Sequence, residues 1–349
     1  MGTIAPRTMR AGTVAVMDNA VETTPGETSP GAAPAGWTYP SAGAGWAYLY
    51  LDRPDGARLR LGCWQSAGEE GRRGTCLLVN GRSEFLEKYA EQAAEWAVRG
   101  WRVVSFDWRG QGLSTRPLPN RQLGHIDDFS TYLEDLEAIM AALCPPTGPV
   151  VAFAHSMGGH LMLRHVLDCD TAMEVPRLKA LILSAAMVRI NTAPLPGRAA
   201  ALIANLACRQ GKAETYAPGQ RDFDPDAQRF EGNPLTSDPR RFKVALDACR
   251  QQQDLCLGGV TYGWLAAAYR STDYLAHATM SGLDLPIQIL AAGADRIVSS
   301  PALRALARRL PDARFHQYPG ARHELMMEND TIRRAVWEDI DHFLEETGL

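Results

Sequence analysis

Residues 154–159 read Ala-His-Ser-Met-Gly-Gly and follow the apolar run Val-Val-Ala-Phe. A strand, a sharp turn with Ser156 at its apex and a helix would make a nucleophile elbow, which lifts a serine hydroxyl above the C-terminal edge of a sheet. Strand and helix backbones nearly touch at such a turn, so small residues are needed two places either side of the serine. Gly158 meets that demand, and Ala154 meets it with one methyl more than the usual glycine. A serine hydroxyl becomes a competent nucleophile only when a base takes its proton. His155, His160 and His165 are near in sequence but lie on the elbow or its helix, pointing along a different element from the hydroxyl. Their spacing of five sets them about 140° apart around a helix, which rules out a shared metal face. His160 and His165 read as packing or surface residues.

The base and its acid are expected later in the chain, in the order serine, acid, histidine, each on a loop after a strand. The apolar run 286–292 is followed by Gly293-Ala294-Asp295, and the run ending at Tyr318 by Pro319-Gly320-Ala321-Arg322-His323. His323 would take the Ser156 proton and return it to the leaving group, while Asp295 orients the imidazole and stabilises its protonated form. A turn aspartate or a loop histidine alone means little; all three in this order point to acyl transfer. That chemistry also needs donors aimed at the developing oxyanion. The backbone N–H of Met157, at a helix N-terminus, is one. The other is expected from the loop Asn80–Glu84, where Gly81 allows close approach and the N–H of Arg82 is the candidate. Asp107 and Arg109, also in a loop after a strand, are expected to form an ion-paired loop that shapes the floor of the site.

These groups need a scaffold. Ala47–Leu51 and Ala57–Trp64 are short β-like runs joined by Arg53-Pro54-Asp55-Gly56, a hairpin signal. Apolar strands then follow at 75–79, 102–106, 150–154, 180–184, 286–292 and 314–318. Helical patterns at 84–99, 128–143, 157–167, 302–310 and 331–346 alternate with them. Continuous apolar strands between amphipathic helices predict an α/β class: a mostly parallel sheet covered on both faces, with the hairpin antiparallel at one edge. The alternation lapses at 188–280, where helices are expected at 198–208, 239–251 and 261–269. The 349 residues would allow two domains. The pattern instead predicts one core, 46–187 with 281–349, and a helical cap inserted at 188–280. Residues 1–45 are expected to be a disordered tail, because Thr23–Gly45 is too poor in large apolar side chains to offset its ordering entropy. Met17 is an alternative start.

Composition removes other classes. Lys and Arg number 36 against 40 Asp and Glu, so no basic field recruits nucleic acid. No run of 18 apolar residues suggests a membrane span. The seven cysteines are scattered, odd in number and without a CxxC pair, which argues against a disulfide framework or zinc site and suits a reducing compartment. The expected location is cytoplasmic, extending to the periphery of the inner membrane.

The segments NGRSEFLEKY, FDWRGQGLS, AHSMGG, GADRIV and PGARHE, in that order, resemble the α/β-hydrolase family of bacterial lysophospholipases and monoacylglycerol lipases, the serine aminopeptidase-like hydrolases. The resemblance spans about residues 46–347, and Asn233–Asp238 and Gly258–Trp264 are similar to the lysophospholipase side of the group. Monoacylglycerol lipases usually carry His-Gly where Asn80-Gly81 stands, which favours the same branch. The resemblance implies Ser156 as nucleophile, Asp295 and His323 as its partners, Arg82 and Met157 as oxyanion donors, and no metal or organic cofactor. It implies cleavage of the acyl ester of a lysophospholipid or monoacylglycerol through an acyl-enzyme. Apolar residues of the insertion (Leu195, Ala199–Leu202 and Leu206, then Tyr262, Trp264 and Leu265) would line an acyl pocket, touch a membrane surface, or simply bury their faces on the core. Tyr262 and Trp264 are the candidate substrate-binding residues. An amidase or aminopeptidase-type enzyme or a general carboxylesterase on the same scaffold stays open; an amidase would need lid carboxylates such as Asp222, Asp224 or Asp226 to hold a free amine. A binding module with a dead site is a third reading, and the intact triad argues against it. The oligomeric state is left open.

Overall fold

The structure is a computed structural model, and it describes residues 45–65, 73–145, 147–168, 178–192 and 195–349. The expected tail, the alternative start at Met17, Cys169 and Pro194 lie outside the described residues, apart from Gly45, which begins the first strand.

Eight strands form one sheet: β1 (Gly45–Asp52), β2 (Arg58–Gln65), β3 (Gly74–Val79), β4 (Trp101–Phe106), β5 (Val150–His155), β6 (Leu178–Ser184), β7 (Ile287–Ala292) and β8 (Ala313–Tyr318). Their order across the sheet is β1-β2-β4-β3-β5-β6-β7-β8. The strands from β3 to β8 run parallel, while β1 and β2 pair antiparallel and β2 joins β4 antiparallel, the edge hairpin expected from Arg53–Gly56. The helices are α1 (Ala90–Val98), α2 (Phe129–Leu143), α3 (Ser156–Asp168), α4 (Gly197–Arg209), α5 (Pro239–Gln251), α6 (Tyr262–His277), α7 (Ser300–Ala307) and α8 (Asp330–Glu346). The first predicted helix, 84–99, divides into a 3-10 turn at Leu86–Tyr89 and α1, which stops where Gly100 takes φ +84°. The last predicted helix of the insertion runs longer than expected, to His277.

The period-2 alternation of a strand splits the core in two. On β3, Leu77 and Val79 join the cluster beneath α2, α3, α6 and α7, while Cys76 and Leu78 join the cluster beneath α1 and α8. Trp96 of α1 is the hub of the second cluster. Its ring meets those of Trp101, Phe153 and Trp337 edge-on at 6.0, 6.5 and 5.1 Å. Asp128 caps α2 through the N–H of Ser130, and Asn329 caps α8 through Thr331 and Ile332.

His160 and His165 are buried on α3, as packing residues. His160 ties α3 to the insertion through Nε2···Ser271 Oγ at 2.6 Å. Burial, reinforced by the Arg164 charge, pushes its imidazole down to about 3. The unfolded chain therefore takes up this proton as pH falls through the ordinary histidine range near 6.5, and the folded chain does not.

Stability should fall with acidification from about pH 6.5, at up to about 1.4 kcal/mol per pH unit for this group. Denaturant midpoints between pH 7 and 5 should show a shallower decline in His160→Gln than in wild type. Trp96→Ala should cost about 3–5 kcal/mol, read as a lower denaturant midpoint, because it empties the hub of one core.

Candidate active site

The elbow forms as its sequence demands. β5 lies between β3 and β6, at the centre of the sheet, and delivers Ser156 with φ +51°, a left-handed conformation that a side chain adopts only under constraint. The turn brings α3 directly over the end of β3: a methyl group on Gly158 would sit 2.4 Å from the carbonyl oxygen of Asn80 and 2.6 Å from that of Val79. Ala154 is fully buried in the strand, and the extra methyl leaves the turn intact.

Asp295 and His323 arrive after β7 and β8. His323 Nε2 lies 2.9 Å from Ser156 Oγ, and Nδ1 lies 2.8 Å from Asp295 Oδ2. Asp295 Oδ1 accepts from the backbone N–H groups of Ile297 and Val298 at 2.8 and 3.0 Å, which fixes the carboxylate. Burial alone would raise this carboxyl. The hydrogen bond and charge of His323, with the two backbone donors, outweigh it and hold Asp295 below the usual carboxylate range. The aspartate side chain is fully buried, and Ser156 keeps a small exposed face. This is the arrangement of a base-activated hydroxyl with an oriented imidazole.

The loop after β3 stands against the serine. A methyl group on Gly81 would lie 3.2 Å from Ser156 Cβ and 3.0 Å from the His155 ring. Two of its N–H groups are already engaged: Gly81 donates to Glu84 Oε2 at 2.5 Å and Ser83 to Gln111 Oε1 at 3.1 Å. Between them the N–H of Arg82 has no acceptor among the described residues. The N–H of Met157, in the first turn of α3, has no intrahelical acceptor by geometry. These are the two groups expected from the sequence as oxyanion donors, and neither is engaged among the described residues.

Asp107 and Arg109 are both ion-paired, but not to each other. Asp107 pairs with Arg60 at 2.6 Å, whereas Arg109 pairs with Asp135 at 2.8 Å and Asp55 at 2.5 Å. The expected ion-paired loop is therefore two separate anchors, because Arg60 on β2 reaches Asp107 first. Of the proposed substrate contacts, Trp264 is buried against Phe129 (centroids 5.6 Å apart), with the Arg82 guanidinium 5.5 Å over its ring. Tyr262 is half-buried at the first position of α6.

Sequence reasoning missed the buried charges behind the triad. Lys88 Nζ donates to Glu84 Oε1 at 2.7 Å and to Glu324 Oε1 at 2.6 Å, so one ammonium ties the loop of Arg82 to the loop of His323. Glu84 and Glu324 stood inside two quoted motifs and Lys88 lies four residues after Glu84, yet nothing in sequence links positions 88 and 324. Burial would raise both carboxyls. Lys88 and His155 overcome it at Glu84, which falls to about 2, whereas Glu324 stays raised because burial and the neighbouring Glu84 charge exceed the pull of Lys88. His155 packs against His323 with ring centroids 4.8 Å apart, and burial lowers its imidazole to about 4. A pocket lined by Glu84, Lys88, Tyr89, His155, Ser184 and Glu324, among others, opens here; Ser156, Asp295 and His323 do not line it. Among the described residues no cluster of His, Cys, Asp and Glu has metal-site geometry.

Segments 233–238 and 258–261, both between β6 and β7, are bonded to the loop of His323 and to the loop at 122–124. His323 and Glu324 donate their N–H groups to the carbonyls of Pro234 and Leu235 at 3.3 and 2.9 Å. Gly258 donates to Gln122, and Gly124 exchanges bonds with Gly259 and Thr261.

Comparison with known proteins agrees with this geometry. The family model described as serine aminopeptidase, S33, matches residues 70–330. A probable lysophospholipase L2 of Haemophilus influenzae is 30% identical over 302 residues, which cover 85% of this chain and 88% of that protein. Lysophospholipase L2 of Escherichia coli K12 is 29% identical over 295 residues, covering 76% of this chain and 79% of its own. A soluble variant of monoglyceride lipase from Saccharomyces cerevisiae, solved with a substrate analogue, shares the fold with a TM-score of 0.68 at 20% identity, over 90% of this chain and 100% of that one. The chain belongs to the serine aminopeptidase S33 family, in the lysophospholipase and monoacylglycerol lipase group of the α/β-hydrolases.

Proposed function

We propose that the protein hydrolyses the acyl ester of a single-acyl lipid, a lysophospholipid or monoacylglycerol, through an acyl-enzyme on Ser156. The observation that carries this reading is the hydrogen-bonded chain Ser156–His323–Asp295, with links of 2.9 and 2.8 Å. His323 Nε2 takes the proton of Ser156 Oγ as it attacks the ester carbonyl, and the N–H groups of Arg82 and Met157 receive the oxyanion. Collapse of the tetrahedral intermediate breaks the ester bond, and His323 returns the proton to the leaving glycerol oxygen. Water then repeats the cycle on the acyl-enzyme and frees the fatty acid. The relatives support the substrate class, since two are lysophospholipases, one of them a probable one, and one structural neighbour is a monoglyceride lipase.

Residues 188–280 act as the cap over this site in our reading, with Tyr262 and Trp264 beside the acyl chain. Of the three carboxylates an amidase would need, two are engaged by other groups, while the Asp224 carboxylate accepts only the N–H of Asp226 among the described residues. Asp226 is paired with Arg250 at 2.8 Å, and Asp222 accepts from the Tyr216 hydroxyl and from Asn120. Contact with a membrane surface is supported by α4, where Leu202 is 60% exposed and Ile203 and Leu206 are also exposed, with Leu195 exposed just before it. Arg198, Arg209 and Lys212 flank these residues, and 195–213 contains no acidic residue, which suits an anionic bilayer.

Ser156→Ala should abolish ester hydrolysis and labelling by a fluorophosphonate probe; retention of either would refute the mechanism. Asp295→Asn should lower kcat by roughly three to four orders of magnitude with little change in KM. Leu202→Glu combined with Leu206→Glu should lower the rate on vesicle-borne substrate relative to that on a soluble short-chain ester. Paired assays on the two substrates check this.

A further inference from the structure

The Arg82 guanidinium has no carboxylate partner among the described residues. It presents five N–H donors. The described residues give them two acceptors: Ser83 Oγ, 2.8 Å from Nη1, and the Gly258 carbonyl, 2.5 Å from Nη2. Nε is buried with no partner among the described residues. Three other buried arginines are neutralised by carboxylates, whereas the half-buried Arg102 and Arg322 rest on the carbonyls of Leu143 and Thr236. Arg60 pairs with Asp107 and Glu87, Arg241 with Glu91, Asp238 and Asp330, and Arg333 with Glu91 and Glu95. Arg116, which also lacks a carboxylate partner, is instead surrounded by the carbonyls of Gly110, Gly112, Arg121, Asp254 and Cys256. Arg82 has neither remedy. Burial lowers its guanidinium to about 10, opposed only by Tyr132 and Tyr216, with no carboxylate acting on it. A cation held in a partly desolvated site without an anion is costly, and a ligand that supplies one recovers that cost.

We propose that the Arg82 side chain is the anion-recognition group of this active site, receiving the phosphodiester of a lysophospholipid head group and so favouring that substrate over a neutral monoacylglycerol. The proposal rests on the single-acyl-lipid reading above. The preceding residue, Gly81, stands against Ser156, and the Arg82 side chain reaches the Gly258 carbonyl and the Trp264 ring. A planar guanidinium suits the two free oxygens of a phosphodiester, which it can meet through parallel N–H groups. Monoacylglycerol carries no such anion and leaves the charge unmatched. A free fatty-acid carboxylate shares this anion chemistry, so the test separates the two sources.

The experiment measures kcat/KM for a lysophosphatidylcholine and a 1-monoacylglycerol of the same chain length in wild type, Arg82→Gln and Arg82→Lys. The expected result is a ten- to hundredfold fall in the lysophospholipid-to-monoacylglycerol ratio for Arg82→Gln, roughly the range of a charge-assisted hydrogen bond. It should be carried mainly by KM and partly recovered in Arg82→Lys. An unchanged ratio in both variants, with both substrates falling together, overturns the proposal and leaves Arg82 a structural strap. So does a change confined to product inhibition by free fatty acid, which would make the carboxylate the anion. Should wild type hydrolyse neither lipid while still reacting with a fluorophosphonate, the substrate reading fails separately. Inhibition of a soluble ester by glycerophosphocholine then decides: its loss in Arg82→Gln and retention in Arg82→Lys uphold anion recognition, and equal inhibition of all three proteins overturns it.

Discussion

The close crossing of α3 over the end of β3 is the constraint on which the rest of the site depends. It forces Ser156 into a left-handed backbone conformation, which costs on the order of 1–3 kcal/mol and persists only where surroundings over-determine it. Those surroundings are the paired strands on either side of β5, the carbonyls of Val79 and Asn80 beneath Gly158, and the N–H of Met187, which donates to the Ser156 carbonyl at 2.9 Å. Once the turn is fixed, so are its consequences. The hydroxyl faces away from the sheet, the N–H of Met157 opens a helix, and the loop from Asn80 to Glu84 must pass within contact of the serine.

Two loops then have to meet across the elbow with little tolerance, and buried charge holds them together. Glu84 receives the N–H of Gly81 and the hydroxyl of Tyr89 (2.6 Å) on one oxygen and Lys88 on the other; Lys88 also holds Glu324, next to the base. A buried ion triad is a weak source of stability, since desolvation consumes most of the Coulombic gain. What it contributes is register. Moving either loop by an ångström would strand a carboxylate or an ammonium away from water, so the loop of Arg82 and the loop of His323 keep one spacing.

Much of this was legible in the sequence because it follows from local chemistry. Strand runs such as Val150–His155, the stop at Gly100 and the placing of Ser156, Asp295 and His323 each depend on a few neighbouring residues. The sheet order was legible only as a class, because the exchange of β3 and β4 relative to chain order is set by crossovers and not by any one segment. The ion pairs were illegible for the same reason. Asp107 sits two residues from Arg109 and takes Arg60 instead, a partner 47 residues away on β2. Lys88 reaches across 236 residues to Glu324. Pairing of this kind is decided by which side chains share a buried volume, and sequence distance carries almost no information about that.

The insertion is held unevenly, and the unevenness matches what the chemistry requires. Residues 233–238 grip the loop of His323, with Arg322 adding a bond to the Thr236 carbonyl at 2.7 Å; residues 258–261 grip the loop at 122–125 and receive Arg82. These attachments border the reacting groups, where displacement would be expensive. α4 buries only Ala204 and Ala207 and turns its larger apolar side chains outward. Local opening is cheapest where the fewest apolar contacts are lost. The firmer part of residues 188–280 is thus the pair of attachments at 233–238 and 258–261, and α4 is the part with the least buried apolar surface.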